Sequence, residues 1–337
     1  MIELLGLVLV SFAVTSFFMV PFIDLLFYLR SRYKRSIPKG YDDSHTPITN
    51  RLLRGKDVAT PVGGGILLII VITVLGTAYA YFKNLVDPKD LYIIFFTFIT
   101  FGLIGFLDDI KKIFVAFSGK YVGIKGRYII LLQIILASLV SLMLYYLIGL
   151  NNIYVSGLGN FVIGLWYLPL SVFLIVAFSN ALNISDGLDG LSTGLLTVCL
   201  FALLALTSAT LNLNLAAFIG IWLGSLFAFL YFNVYPARIY LGDAGSLAFG
   251  ATLAVIGLLT GKILALAIIG GVYVVIVTSS AMQMVSKKFF GRKLFPVAPF
   301  HMLLRYIGWE EPKIVMRLIL AQALFAIFGL WLALVTR

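Results

Sequence analysis

Charge is scarce in this sequence. Only 12% of its 337 residues are Asp, Glu, Lys or Arg, about half of the roughly 25% usual in a soluble chain. Cysteine is scarcer still: Cys199 stands alone, so no disulfide can form within the chain and the thiol says nothing of compartment. With two histidines beside that one cysteine, the usual Cys/His zinc set is missing. The three glycines of DVATPVGGG at 57–65 lack the GK[ST] ending of a nucleotide-binding P-loop. The N-terminus, MIELLGLVLVSFAVTSFFMVPFIDLLFYLR, shows neither a basic leader nor a small-residue cleavage site, and reads as a retained first span.

What is abundant is apolar length. Hydrophobic residues make up 61% of the chain and the mean hydropathy is +1.07. They fall in repeated runs of about twenty, enough for a helix to cross roughly 30 Å of hydrocarbon. The expected fold is an all-α polytopic membrane protein of about ten transmembrane helices. The runs lie near 3–29, 62–82, 91–107, 128–149, 161–179, 190–207, 214–232, 246–260, 263–285 and 317–336. The eighth is short and contains glycine, which predicts a tilted or irregular segment. No internal repeat or low-complexity tail breaks the pattern, so a single transmembrane domain is expected.

The basic residues give the orientation. Twenty-one of the 25 fall in loops on one side of the predicted bundle, and only Lys83, Lys89, Lys262 and Arg337 on the other. The positive-inside rule assigns the richer side to the cytoplasm and both termini to the outside. The cytoplasmic loops then lie near 30–61, 108–127, 180–189, 233–245 and 286–316. The formal net charge of +11 is accounted for by this bias, and no nucleic-acid partner is expected. The external connections KNLVDPKD, NNIYVSGLGN and GLLTGK are short.

The 14 acidic residues are placed unevenly. Asp108 and Asp109 follow an apolar run in FGLIGFLDDIKK; Asp186 and Asp189 occur in AFSNALNISDGLDGLSTG; Asp243 occurs in YFNVYPARIYLGDAGSLAFG. All five stand where hydrocarbon meets the cytoplasmic loops, where a carboxylate is costly unless hydrated, paired or bound to a cation. Each alone has an ordinary reading as a solvated helix end or a turn. Three clusters on one side of a charge-poor protein point to a shared cation site. Oxygen ligands favour Mg²⁺, which commonly takes one or two carboxylates together with substrate phosphates. Asn180, Asn183, Asp186 and Asp189 repeat every three residues and form a polar row leading out of a span. The row is suited to a ribose, a base or a hydrated metal, or to interhelical hydrogen bonds. The glycines at 63–65 fit either a close backbone approach to phosphate or close helix packing. Lys111, Lys112, Arg292 and Lys293 are placed to neutralise phosphate, or are ordinary members of the inside-positive set.

Six segments together carry a family resemblance: TPVGGG at 60–65, FLDDIKK at 106–112, NALNISDGLDGLSTG at 180–194, FNVYPARIYLGDAGSLAFG at 232–250, FFGRKLFPVAPFH at 289–301 and GWEEPKIVMR at 308–317. In this order and separation they resemble the polyprenyl-phosphate N-acetylhexosamine-1-phosphate transferase superfamily and, within it, the phospho-N-acetylmuramoyl-pentapeptide transferase branch. The likeness spans essentially the whole chain. It implies a ten-span enzyme of the bacterial inner membrane with its active site facing the cytoplasm. The implied reaction transfers phospho-N-acetylmuramoyl-pentapeptide from UDP to undecaprenyl phosphate with Mg²⁺, giving lipid I and UMP. A homodimer is a further implication. Position by position, Asp108 and Asp109 match the essential acidic pair and Lys112 its accompanying lysine. Asn180, Asn183, Asp186 and Asp189 match the polar row. Asn233 and Asp243 match nucleotide- and Mg²⁺-site positions, with Asp243 as direct metal ligand. Tyr240 stands where an aromatic ring lies against uracil, and His301 opens the family's histidine run.

Two departures from the family's pattern stand out, and the second bears on the donor. The usual TPTMGG carries Val62 in place of its second threonine, with Asp57 at the position of a lysine and Lys56 displaced by one. Three consecutive histidines in the branch become His301, Met302 and Leu303, and the last two side chains cannot donate hydrogen bonds in the way histidine does. The same chemistry with UDP-N-acetylglucosamine or a related donor therefore stays open, as does, more remotely, a cation-coupled transporter.

Overall fold

In hydrocarbon every backbone N–H and C=O must find a partner inside the protein, which leaves helices as the economical way to build runs as apolar as these. A computed structural model of the protein describes residues 2–31, 60–85, 88–114, 124–155 and 158–335. The helices are α1 (Ile2–Ser31), α2 (Gly64–Phe82), α3 (Lys89–Phe114), α4 (Gly126–Met143), α5 (Tyr167–Ser185), α6 (Leu191–Ala209), α7 (Leu213–Asn233), α8 (Gly242–Leu259), α9 (Ile263–Ile269), α10 (Gly271–Phe290), α11 (Phe300–Tyr306) and α12 (Glu311–Val335). Among the described residues nine of these are long and apolar enough to cross a membrane, and α9 with α10 makes a tenth, broken span. The chain is a multi-pass membrane protein of about ten spans, as the hydropathy pattern predicts. A short antiparallel hairpin, β1 (Asn152–Val155) and β2 (Gly159–Val162), pairs Asn152 with Val162 in the connection between α4 and α5.

The spans differ in what surrounds them. Helix α8 lies at the centre, packed against α3 on one side and α5 on the other, with 16 of its 18 residues buried. Helices α1, α4 and α12 stand at the periphery, and exposed Leu9, Phe17, Leu139 and Leu324 give them an apolar outer face. The middle of the bundle is an aromatic cluster. Phe98 of α3 stacks on Phe249 of α8 at 5.5 Å, and Trp222 of α7 meets both edge-on at 5.8 and 5.2 Å. Such offset and edge-on pairs place ring edges against ring faces, where the quadrupoles attract.

The expected irregular span moves by one. Helix α8 is regular, and its glycines serve close packing rather than a break. The irregular element is the ninth span, where α9 and α10 meet at Gly270 with a bend of 82°. A bend of that size frees backbone groups in the middle of the protein, and α12 supplies their partners. Gln322, fully buried, accepts from Val272 N–H through Oε1 at 3.0 Å and donates through Nε2 to the carbonyl of Ile269. A break is tolerated at this depth because the freed groups are satisfied again by protein.

The two ends of the bundle are chemically unlike. At one end Lys83 pairs with Glu3 at 2.7 Å, Asn212 donates to Asp90 at 3.2 Å, and the Lys262 ammonium sits 3.3 Å from the centre of the Tyr154 ring in the hairpin. The Lys83 pKa is raised, chiefly by its hydrogen bond to Glu3. The opposite end gathers Asp108, Asp109, Asp186, Asp189 and Asp243. Removing the central ring tests how far the bundle depends on its aromatic cluster. Trp222→Ala is expected to cost about 3–5 kcal/mol, read as a lowered thermal unfolding transition in detergent.

Candidate functional site

The site is assembled around the first turn of α8. The segment before α2 lies beside the chain that enters α8, and Val62 forms a parallel bridge to Tyr240. Tyr240 N–H donates to the carbonyl of Pro61 at 2.9 Å. In return Gly63 and Gly64 donate to the carbonyl of Tyr240 at 3.2 and 3.0 Å, and Gly65 donates to that of Leu241 at 2.8 Å. The N–H groups of the three glycines are thus spent on main chain. Of the two readings of this glycine run, the structure favours close packing over a phosphate cradle.

The first amides of a helix have no partner within it, and here carboxylates from two other helices supply them. Asp109, near the end of α3, accepts from Asp243 N–H at 3.2 Å through one oxygen and from Ala244 N–H at 3.0 Å through the other. Asp186, just past the end of α5, accepts from Gly242 N–H at 3.2 Å and from the Ser192 hydroxyl at 2.6 Å. Negative charge at a helix N-terminus is also favoured by the helix dipole. The contact demands glycine twice. Gly242 has a φ of 81°, and a Cβ there would fall 2.8 Å from Asp109 Oδ2. A Cβ on Gly105 of α3 would lie 2.1 Å from the carbonyl oxygen of Asp243. These two positions let α3 lie directly against the start of α8.

Asp243 is thereby carried, half-buried, to the mouth of the site. Asn183 of α5 donates to its Oδ1 at 2.8 Å and to the Ser246 hydroxyl at 2.8 Å. Asp108 is 2% exposed and accepts from Ile124 N–H at 2.6 Å, so the carboxylate next to Asp109 anchors the start of the following segment.

The remaining sequence-predicted residues divide into three places. Asn233 and Asp189 lie beneath the 234–240 loop. Asn233 is 1% exposed, accepts from Thr193 Oγ1 at 2.7 Å and donates to the carbonyl of Ile239 at 2.9 Å. Asp189 accepts from Ala237 N–H at 3.0 Å. Their bonds fix the loop that presents Tyr240. Asn180 lies apart, donating to Gln133 Oε1 at 2.6 Å and to the carbonyl of Val176 at 2.8 Å. His301, at the start of α11, is buried at 1% exposure, with Nε2 3.4 Å from where a Cβ on Gly187 would be. That puts it against the turn between Asp186 and Asp189. The side chain of Lys112, together with His45, Lys56 and Asp57, lies outside the described residues.

Several residues not expected from the motifs also shape the site. Glu311 accepts from Asp189 N–H at 2.8 Å and from Arg305 Nη1 at 2.6 Å, tying α11, α12 and the 186–189 turn together. Gln283 of α10 accepts from Leu294 and Phe295 N–H at 3.0 and 2.9 Å and donates to the carbonyl of Phe295 at 3.0 Å. It holds the loop that leads to His301. Gln133 and Gln322 carried a signal in the sequence, as single amides inside long apolar runs; Ser192 and Thr193 carried none beyond their motif.

The shared cation cage expected from three acidic clusters does not take that form. Among the described residues no three carboxylates, histidines or cysteines converge closely enough to hold a cation by themselves. Asp109 and Asp186 are occupied with the amides of residues 242–244. Asp243, an oxygen donor at the mouth, held in orientation by Asn183, does fit a cation that draws its other ligands from phosphate and water.

Beside the polar row runs a groove of about 710 Å³. Its walls are apolar, with Ile134 and Leu142 from α4, Val172 and Val176 from α5, and Val277 from α10, and Asn180 joins it to the polar row. The bundle thus sets a polar end that holds Asp109, Asp186 and Asp243 beside an apolar groove.

Comparison with known proteins gives the family. Residues 91–261 match the glycosyl transferase family 4 model. A phospho-N-acetylmuramoyl-pentapeptide-transferase of Clostridium perfringens is 36% identical over 77% of this chain and 80% of its own length. Proteins of the same name are 31% identical in Bacillus pumilus, over 92% of both chains, and 32% identical in Aquifex aeolicus, over 94% of this chain and 89% of that one. The chain belongs to glycosyl transferase family 4 and is a membrane transferase, as the resemblance of its motifs implies.

The geometry separates Asp109, which caps the first turn of α8, from Asp243, whose carboxylate is bonded by Asn183. Asp109→Ala removes the partner of two buried amides and is expected to cost about 1–3 kcal/mol of stability. Asp243→Ala leaves both amides bonded while taking an acceptor from Asn183, so its unfolding transition is expected above that of Asp109→Ala. Equal melting of the two variants in detergent would contradict the capping assignment.

Proposed function

We propose that this protein transfers phospho-N-acetylmuramoyl-pentapeptide from its UDP carrier to undecaprenyl phosphate, producing lipid I and UMP for peptidoglycan synthesis. The observation that carries the reading is Asp243 held by Asn183, beside an apolar groove that Asn180 helps to line. The name of the relatives supplies the transferred group; the UDP carrier and the undecaprenyl phosphate acceptor are what the resemblance of the motifs implies. The polar end faces the cytoplasm of a bacterial inner membrane, as the distribution of basic residues favours, and the protein works as one transmembrane domain, with a homodimer as the proposed assembly.

In this reading the prenyl chain lies in the groove and its phosphate reaches the polar row at Asn180. The nucleotide enters from water, with uracil against the Tyr240 ring on the loop fixed by Asn233 and Asp189. His301 borders the donor from the side of the 186–189 turn, and Lys112 offsets phosphate charge. Mg²⁺ held by Asp243 supplies charge compensation to the diphosphate when bound. An oxygen of the acceptor phosphate forms a bond to the phosphorus that carries the sugar, and the bond from that phosphorus to the UMP oxygen breaks. The acceptor's second pKa is about 6, so it is largely dianionic at pH 7 and attacks directly. Asp108 orients it. Asp109 contributes by holding Asp243 at its place in the first turn of α8.

The test is UMP release by purified protein with undecaprenyl phosphate, comparing the muramoyl-pentapeptide donor with UDP-N-acetylglucosamine, with and without a chelator. Turnover of the muramoyl donor, lost on chelation and reduced by about a thousandfold or more in Asp243→Ala, is expected. Preference for UDP-N-acetylglucosamine would sink the donor assignment. No release from either donor would sink the transferase chemistry as proposed.

A further inference from the structure

Gln322 is a buried polar group that lies outside the polar row and its motifs. Gln322 sits mid-way along α12, in the apolar run IVMRLILAQALFAIF, with no exposed surface. An amide at that depth is costly unless its donors and acceptor are all used. Here they are used on a different helix pair, at the break between α9 and α10. Gln322 accepts from Val272 N–H at 3.0 Å, and its Nε2 donates to the Ile269 carbonyl and to Cys199 Sγ, the latter at 3.1 Å. One side chain therefore bridges the last residue of α9 and the second residue of α10.

The consequence lies in what α10 carries. The bend of 82° sends α10 away from the direction of α9. Five residues beyond Val272 stands Val277, the α10 contribution to the groove wall opposite α4 and α5. Next to Val272, Tyr273 donates to the carbonyl of Ser192 at 2.5 Å, which fixes the rotation of α10 about its axis but not the angle at which it leaves α9. That angle is set where the two freed backbone groups are held together. We infer that Gln322 is a positioning residue for the acceptor groove: by bonding both sides of the break from α12, it fixes the direction of α10 and hence the groove wall at Val277. Assigning the groove to the lipid acceptor rests on the proposed function; the control of α10 by Gln322 does not.

The chemistry at position 322 makes the role testable. Gln322→Leu keeps the volume but can neither donate nor accept. Gln322→Glu, kept protonated by burial, has one donor and one acceptor and can restore both bonds. Spin labels on Met284→Cys in α10 and Leu324→Cys in α12, both at exposed positions, report the separation of the two helices in nanodiscs without reference to activity. A narrow distance distribution is expected with Gln322, a shifted or broadened one in Gln322→Leu, and recovery in Gln322→Glu. In UMP release, Gln322→Leu is expected to raise KM for undecaprenyl phosphate roughly tenfold and donor KM by less, because Asn183, Tyr240 and Asp243 hang on other helices and α10 reaches the donor side only through Gln283 and the loop before His301. An unchanged distance distribution in Gln322→Leu, or a loss confined to thermal stability with both KM values intact, would overturn the positioning role. If wild-type protein releases no UMP, the proposed function fails, and the distance measurement alone decides the role of Gln322.

Discussion

The first turn of α8 is the constraint on which the rest of the polar end depends. A helix that begins inside a membrane protein brings amide N–H groups that neither its own carbonyls nor bulk water can satisfy. Asp109 and Asp186 satisfy three of them, from α3 and α5. This single requirement explains why carboxylates stand at the ends of two different spans, why glycine occupies positions 105 and 242, and why Asp243 projects where it does. The acidic character of the site is in large part structural. Charge that would be costly beside hydrocarbon is stabilised by backbone dipoles, and Asp243 is held in orientation by Asn183.

A second layer of bonds supports the first. Asn233 and Asp189 hold the 234–240 loop from below, and that loop in turn bonds to residues 60–65 through Tyr240. Glu311 joins Asp189 to Arg305. The ends of α5, α7, α8, α11 and α12 are thereby linked by bonds in which each donor serves a carbonyl, a carboxylate or an amide oxygen. Such a network holds geometry more tightly than the surrounding apolar packing, because its bonds are directional and its members pay heavily for losing a partner.

How much of this was legible in the sequence depends on the kind of force involved. The spans were legible because apolar length is a local property, and all ten appear near their predicted places. Runs such as FLDDIKK and SDGLDG marked the polar end because carboxylates beside hydrocarbon are costly wherever they occur. The break at Gly270 was not legible. Its bonding partner Gln322 lies more than fifty residues away, and the one local cue in GKILALAIIGGVYVV, the Gly270–Gly271 pair, does not say whether the chain bends there or another backbone comes close. The glycines of α8 misled for the converse reason, since composition does not say whether a glycine loosens a helix or lets another backbone come close. The division among Asp109, Asp186 and Asp243 was equally hidden: three chemically identical side chains differ only in which amides of the folded chain reach them.

Under the proposed function the groove has a consequence for the kinetics of supply. Its apolar walls, including the exposed Leu142 and Phe173, open on the side of the bundle rather than at its polar end. A reactant that enters there diffuses in two dimensions, and what it presents to the protein is a mole fraction of the bilayer. Its water-borne counterpart diffuses in three dimensions and is counted per unit volume. Dilution of the cell's contents and dilution of its membrane are thus separate controls on one reaction, acting through two faces of the same molecule.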